Sequence, residues 1–312
     1  MRRVAAIDCG TNSIRLLVAD LDPAAGTAVD LDRRMEIVRL GEGVDRTGRL
    51  SEAALARTFA ACEVYAARIA ELGATDVRFV ATSASRDAEN RDDFVRGVLE
   101  RFGVEPEVVS GEDEAALSFR GPTGALKAAV IAGPYLVVDI GGGSTEFVLG
   151  DTAVQASRSV DMGCVRLTER HLHDDPPTAA QVAAARADID ARLDEAAAAV
   201  PLDTGATLVG LAGTVTTLAG IALGLPAYDP AAIHLSRLSA RDVHAITERL
   251  LASSHGERTA IPVMHPGRVD VIAGGALVLA AIVRRTGAAA VVVSEHDILA
   301  GFAWSLADRS AT

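Results

Sequence analysis

The sequence predicts an α/β protein of two related domains, and three observations carry that expectation. The first is a duplicated segment. Ile7-Asp8-Cys9-Gly10-Thr11-Asn12-Ser13 and Val138-Asp139-Ile140-Gly141-Gly142-Gly143-Ser144 share an aspartate, a glycine and a serine at matching positions. The two aspartates stand 131 residues apart, about the span of one domain. Apolar runs flank both copies, so each reads as strand, tight polar turn, strand. The second observation is the alternation of strand-like and helix-like segments after each copy, which implies parallel pairing added to a meander. The third is composition: 49% of the 312 residues are apolar, enough for two substantial cores and well above the content of a disordered chain.

The first domain, expected over residues 1–130, opens with strands near 3–9, 13–20 and 27–38, an antiparallel meander. Arg39-Leu40-Gly41-Glu42-Gly43 follows as a glycine-bearing loop. A helix over 52–72 is bounded by Ser51, whose hydroxyl can cap it, and by Gly73, which can end it. Strand 77–80 leads into Thr82-Ser83-Ala84-Ser85-Arg86, a helix runs to about Phe102, strand 107–109 follows, and another helix begins near Glu112. Gly121-Pro122-Thr123-Gly124 and Gly133-Pro134 punctuate the chain as turns and place a hinge before the second copy.

The second domain, expected over 131–312, repeats the meander at 135–139, 145–149 and 153–160. A helix over 179–200, behind a Thr178 cap, carries Arg186, Asp188, Arg192 and Asp194 on its wet side and reads as peripheral. Strand 207–209 turns through Leu211-Ala212-Gly213-Thr214 into a helix. Strand 291–293 precedes a last helix from about Asp297, placed to pack back on the first domain.

The net charge of −12 argues against a nucleic-acid or membrane-surface partner. Three cysteines (Cys9, Cys62 and Cys164) without close spacing supply neither a disulfide framework nor a zinc site, which fits a reducing, cytoplasmic setting. Arg2-Arg3 is followed too soon by Asp8 for a signal peptide to be expected. Residues 205–228 lack charge, but their five glycines, Pro226 and threonines suit a strand, a turn and a helix better than a membrane span. The apolar run 271–283 is too short to span.

Asp8 and Asp139 each close a strand just before a glycine turn, where open α/β sheets hold ligands. One Asp-x-Gly is ordinarily only a turn; its duplication makes it a candidate site. Turn N–H groups can cradle phosphate oxygens, and the aspartate can hold a hydrated divalent cation. Gly141, Gly142 and Gly143 are entropically costly to order together, which suggests close approach of a ligand to the backbone. Glu146 can join Asp139 in an oxygen-ligand magnesium site, although spacing alone is better served by a surface glutamate.

Glu112, Asp113 and Glu114 open a helix, and a favourable interaction with the helix N-terminus accounts for them without function. Phosphoryl transfer to water needs a carboxylate base, and spacing does not choose among the three. Gly213-Thr214 at a helix start is a third candidate phosphate turn. Arg86, Arg166 and Arg268 stand at element ends where they can pair with phosphate or simply be solvated. His171 and His173 share a loop with Asp174 and Asp175, but no metal set is expected there.

Five motifs in order resemble one family: Ile7-Asp8-Cys9-Gly10-Thr11-Asn12-Ser13-Ile14-Arg15-Leu16, Arg39-Leu40-Gly41-Glu42-Gly43, Thr82-Ser83-Ala84-Ser85-Arg86, Ser110-Gly111-Glu112-Asp113-Glu114-Ala115, and Val138-Asp139-Ile140-Gly141-Gly142-Gly143-Ser144-Thr145-Glu146. Gly163-Cys164-Val165-Arg166-Leu167-Thr168-Glu169 and Gly210-Leu211-Ala212-Gly213-Thr214 extend the match over nearly the whole chain. The sequence is similar to the exopolyphosphatase and guanosine pentaphosphate phosphohydrolase (Ppx/GppA) phosphatase family. That resemblance implies the two-domain actin-like ATPase (sugar kinase/Hsp70/actin, ribonuclease H-like) fold and Mg2+-dependent hydrolysis of terminal phosphate from inorganic polyphosphate or guanosine pentaphosphate.

By the same resemblance the catalytic glutamate falls on Glu114 and the metal carboxylates on Asp139 and Glu146. Phosphate contacts fall on Gly10, Thr11, Asn12, Ser13, Arg86, Gly141, Gly142, Gly143, Ser144, Gly213, Thr214 and Arg268. The family commonly forms homodimers, which is the expectation here. Long members add a helical region beyond the second domain, and many have an arginine where this chain carries Ser294-Glu295-His296-Asp297-Ile298-Leu299-Ala300-Gly301. Both departures favour a short-chain exopolyphosphatase. The alternatives are a guanosine pentaphosphate 5′-phosphohydrolase, a nucleotide- or polyphosphate-binding regulator without turnover, and a sugar or acetate kinase, for which no acceptor pocket is legible.

Overall fold

A computed structural model describes residues 1–22, 27–296 and 298–308. The chain divides into two compact units, Met1–Gly121 with Ile298–Thr312, and Pro122–Asp297. In unit 1, β1 (Arg2–Cys9), β2 (Ser13–Asp22) and β3 (Thr27–Ile37) form the meander. Then come α1 (Val44–Thr47), α2 (Glu52–Leu72), β4 (Asp76–Ala81), α3 (Ser83–Asp87), α4 (Arg91–Phe102), β5 (Glu107–Val108) and α5 (Gly111–Ala128). The sheet order is β3-β2-β1-β4-β5, with β4 parallel to β1 and β5 parallel to β4. Ser51 Oγ accepts the Ala54 N–H at 3.2 Å and Gly73 closes α2 with φ 69°, so the cap residues act as their types dictate. One sheet face buries Ile7, Ile14 and Leu16 against Cys62, Tyr65 and Ile69 of α2, and Tyr65 Oη donates to the Ile14 carbonyl at 3.1 Å.

Unit 2 begins with β6 (Tyr135–Ile140), β7 (Thr145–Gly150) and β8 (Val154–Val160), followed by α6 (Cys164–His171), α7 (Ala179–Ala197), β9 (Thr207–Leu211) and α8 (Ala212–Ala222). It continues through α9 (Pro230–Ile233), β10 (Arg237–Ser239), α10 (Ala240–Ala252), α11 (His255–Thr259), a 3₁₀ turn at Pro266–Arg268, α12 (Ile272–Thr286) and β11 (Ala290–Val293). Its sheet order, β10-β11-β9-β6-β7-β8, repeats the order of unit 1 strand for strand, with β10 added at one edge. The duplication seen in the sequence is therefore a duplication of topology, and the fold is the duplicated α/β architecture expected of the actin-like class. Residues 272–283 of α12 are all buried, and Arg284 and Arg285 at its end pair with Asp190 and Asp194 of α7, each at 2.7 Å. That apolar run is a core helix, and no helix among the described residues is long and apolar enough to cross a membrane. A final helix, α13 (Ile298–Asp308), belongs to unit 1, where Ile298, Leu299, Phe302 and Ala303 pack on the second sheet face against Val4, Ala6, Leu17 and Leu21. Asp297, at the expected start of that helix, lies outside the described residues.

Three local expectations need correction. Gly121-Pro122-Thr123-Gly124 is not a turn: α5 runs through it to Ala128. Pro122 lacks an N–H to donate, but Phe119 and Leu126, two turns apart, are both buried on one face and keep the segment helical. The helix expected to end near Phe102 is α4, but the run 82–86 before it, for which no element is expected, is itself helical as α3, separated from α4 at 88–90. The stretch 229–268, for which no elements are expected from the sequence, holds α9, β10, α10 and α11, with α10 capped by Ser239 and burying Val243, Ile246 and Leu250.

Candidate active site

Because β1, β4 and β5 run parallel, their C-terminal ends lie side by side, with Cys9 in register with Ala81 and Ala81 with Val108. The segments leaving those ends are the turn 10–13, the run 82–86 and the run 110–114, so unit 1 gathers all its predicted residues at one sheet end. Gly10 N–H donates to the Ser13 carbonyl at 2.9 Å and closes the turn. Val38 and Arg39 N–H groups donate to the Asn12 carbonyl at 3.0 and 2.9 Å, and Gly41 N–H donates to Thr11 at 2.8 Å. These are trans planar peptides, so fixing the Thr11 and Asn12 carbonyls toward 38–41 aims the N–H groups of Asn12 and Ser13 the opposite way. The Thr11 and Ser83 hydroxyls lie 2.9 Å apart.

Of the three carboxylates at the start of α5, the fold separates one. Asp113 is exposed and engaged with Ser110, its carboxylate 2.7 Å from that hydroxyl, and Glu112 is exposed. Glu114 is buried and accepts a hydrogen bond at 3.0 Å from Arg86 Nη1, which also donates to the Val109 carbonyl at 3.1 Å. Asp8, buried on β1, faces Arg15 on β2 and accepts from its Nε at 3.0 Å.

Unit 2 repeats the turn, with Gly141 N–H donating to the Ser144 carbonyl at 3.0 Å. Here the start of α6 ties down the turn: Cys164 N–H donates to Gly141 at 3.0 Å, Val165 and Arg166 N–H groups to Gly142 at 2.9 and 3.1 Å, and Arg166 Nε to Gly143 at 2.7 Å. By peptide planarity, the N–H groups of Gly142, Gly143 and Ser144 aim away from α6. A Cβ at residue 163 would lie 2.3 Å from the Gly142 carbonyl carbon and oxygen, so only glycine lets α6 start this close.

Asp139 and Glu146 are direct partners in the β6–β7 ladder, which puts both side chains on one face. They are 7% and 1% exposed, and Ser159, opposite Glu146 on β8, donates to its Oε1 at 2.7 Å. Parallel register also sets Leu211 beside Asp139, so α8 begins next to the turn with Ala212 (φ 65°), Gly213 and Thr214. Arg268 lies flat on that start: a Cβ at residue 213 would fall 2.4 Å from its Cζ. Its Nη1 donates to Thr217 Oγ1 at 3.3 Å, and Thr217 donates to the Gly213 carbonyl at 2.6 Å.

Two buried carboxylates on one face repel each other unless a proton or a cation intervenes. Among the described residues no cluster of three or more His, Cys, Asp or Glu is arranged for a metal, and Asp139 and Glu146 form a pair of carboxylates. Magnesium is commonly held that way, with waters and substrate phosphates completing its shell. Burial raises the Cys164 thiol to about 11, so this residue beside the turn stays a neutral thiol rather than a nucleophile. His171 Nε2 lies 2.9 Å from Asp188, and Asp175 pairs with Arg258 at 2.7 Å; both residues serve structural pairs.

Sequence reasoning missed Arg15 as the partner of Asp8, Ser159 as the support of Glu146, and the backbone role of Arg166. A signal for the first was present: the offset that maps Asp8 on Asp139 maps Arg15 on Glu146.

The family model described as the Ppx/GppA phosphatase family matches residues 18–309. A curated relative from Mycobacterium tuberculosis, named exopolyphosphatase 2, is 51% identical over 98% of this chain and 99% of its own. A solved structure of an exopolyphosphatase-like protein superposes with a TM-score of 0.94 at 41% identity, covering 99% of both chains. The Aquifex aeolicus member of the Ppx/GppA family superposes at 0.81 and 29% identity, over 100% of this chain and 99% of that one.

Proposed function

The chain belongs to the Ppx/GppA phosphatase family, and from that premise we propose that it is a Mg2+-dependent exopolyphosphatase that removes the terminal phosphate of short inorganic polyphosphate. The observation that carries this reading is the Asp139–Glu146 pair set in register beside the N–H groups of Gly142, Gly143 and Ser144. Carboxylates next to a cradle of backbone donors suit a phosphate chain with its cation, and not a neutral substrate. The 51% identical relative named exopolyphosphatase 2 supports the same substrate class.

In this mechanism Asp139 and Glu146 would hold magnesium, which would supply charge neutralisation at the phosphoryl oxygens. The proposed phosphate contacts are, in unit 1, the N–H groups of turn 10–13 with Arg86 and, in unit 2, those of turn 141–144 with Gly213-Thr214 and Arg268. Glu114, oriented by its 3.0 Å bond from Arg86, accepts a proton as water attacks the terminal phosphorus. The new P–O bond forms to the water oxygen, the bridging P–O bond breaks, and the leaving oxygen departs with the shortened chain. Turn donors stabilise the equatorial oxygens, where charge accumulates. The preference for short chains is supported by the segment Ser294–Gly301, which lacks the arginine of many relatives; Ser294 Oγ instead accepts the His296 N–H at 3.0 Å.

Phosphate release measured across polyphosphate lengths and on guanosine pentaphosphate, with and without Mg2+, tests the proposal. Turnover that falls with chain length and vanishes without Mg2+ is expected. A strong preference for guanosine pentaphosphate would replace the substrate assignment. Glu114→Gln is expected to lower kcat about 10²–10⁴-fold with KM little changed; near-normal turnover would remove Glu114 from the role of base.

A further inference from the structure

We propose that Arg258, braced by Asp175, is a positioning residue for Arg268: it fixes the main chain beside Arg268 so that the guanidinium stays laid over the Gly213 turn. The proposal rests on the reading of Arg268 as a phosphate ligand. Arg258, on α11, is 5% exposed and does not itself face a ligand. Its fork reaches three separate segments. Nε donates to the Val269 carbonyl at 3.0 Å, Nη1 to the Ser253 carbonyl at 2.6 Å, and Nη2 to Asp175 Oδ1 at 2.7 Å. A buried guanidinium is tolerated only when its donors are satisfied. Two of these three partners are main-chain carbonyls, so the contact defines where the backbone runs more than it forms an ion pair.

The backbone it defines is the one that carries Arg268. Val269 is the next residue, and Asp270 after it lies 3.2 Å from His255 Nε2, again on α11. On the other side, Arg268 N–H donates to the His265 carbonyl at 2.8 Å, and His265 Nδ1 accepts the Gly267 N–H at 3.1 Å. The turn 265–270 is thus closed on itself at its start and tied to α11 at its end. Asp175 is fixed in turn, because its second oxygen accepts the His255 N–H at 2.7 Å. That N–H foremost, with the Arg258 charge, holds the Asp175 carboxyl below the usual carboxylate range, so the brace is intact at neutral pH. Arg268 is a long side chain with many rotamers, and its guanidinium reaches the Gly213 turn from the backbone that Arg258 holds. Releasing residue 269 is therefore expected to loosen the charge from the turn.

A double-mutant cycle in the full chain tests this, read both in KM for phosphate release from tripolyphosphate and in the Kd for tripolyphosphate by calorimetry. Arg268→Met is expected to raise both about tenfold or more. Arg258→Met should raise both about fivefold with a smaller change in kcat, and should add nothing in the Arg268→Met background. Asp175→Asn, which preserves shape, should act in the same direction about twofold and also be silent on Arg268→Met; it carries the cycle if Arg258→Met does not fold. Effects that multiply in the two backgrounds would overturn the brace and leave Arg258 as a general stabiliser of unit 2. An Arg268→Met variant with unchanged KM and Kd would instead overturn the phosphate reading of Arg268, and the purpose of the brace with it.

Discussion

Turns 10–13 and 141–144 are the same device with opposite electrostatics. Both are closed by a glycine N–H to a serine carbonyl, at 2.9 and 3.0 Å, and in both the segment after the third strand ties down the turn carbonyls. The difference is the residue across the ladder from the aspartate. In unit 1 Asp8 faces Arg15 and is neutralised by it. In unit 2 Asp139 instead faces a second carboxylate, Glu146. The tying segment differs as well: a loop at 38–41 in the first copy, the N-terminus of α6 in the second. One duplicated turn therefore carries an acid–base pair across its ladder, and the other a pair of carboxylates.

The largest effects are expected from exchanging that one residue. Glu146→Arg gives turn 2 the pair found in turn 1, so the variant should fold while phosphate release falls about 10³-fold and no longer responds to Mg2+. Glu146→Gln should fall less and recover partly at high Mg2+. The reverse exchange, Arg15→Glu, leaves buried Asp8 facing a like charge and should destabilise unit 1 by about 3–5 kcal/mol, read by thermal or urea unfolding. Mg2+-dependent turnover in Glu146→Arg, or wild-type stability in Arg15→Glu, would break the contrast between the copies.

A smaller effect sharpens the second difference, the helix that ties down turn 2. Gly163→Ala places a methyl 2.3 Å from the Gly142 carbonyl, and main chain has to move to accept it. Overpacking of this kind costs about 1–3 kcal/mol. Because the displaced bonds are those that aim the N–H groups of Gly142, Gly143 and Ser144, kcat/KM should drop about 10–100-fold. Steady-state kinetics beside a melting curve separates the two. Stability loss with unchanged kinetics would mean that α6 supports the turn without aiming it.

These differences were unevenly legible in the sequence. The meanders, the capped helix α2 and both turns were readable because their signals are local: alternation, Ser51, Gly73, Asp-x-Gly. Glu146 was readable as a candidate only, since pairing with Asp139 depends on a four-residue turn that spacing does not fix. Glu114 was one of three carboxylates, and burial with an Arg86 contact 28 residues away distinguishes it. α5 was misread at Gly121-Pro122 because punctuation residues report local preference, whereas Phe119 and Leu126 report packing. The Arg258–Asp175 pair spans 83 positions and has no sequence signal.

The smallest effect concerns pH. All seven histidines lie in unit 2. His234 is the instructive one. It is partly buried, its Nδ1 accepts the Glu295 N–H at 3.2 Å, and its ring centroid is 4.4 Å from that of His296. Burial first, and then the neighbouring His296, push its pKa below the usual histidine value. The folded state therefore holds His234 neutral, while the unfolded chain takes up a proton near pH 6.5. The stability tied to the neutral ring is complete above that pH and is lost as pH falls through the depressed folded value. His234→Asn keeps a side-chain acceptor and does not titrate. Melting temperatures from pH 8 to 5 should show wild type losing ground to the variant as pH falls. An offset constant across that range would mean that His234 contributes packing alone.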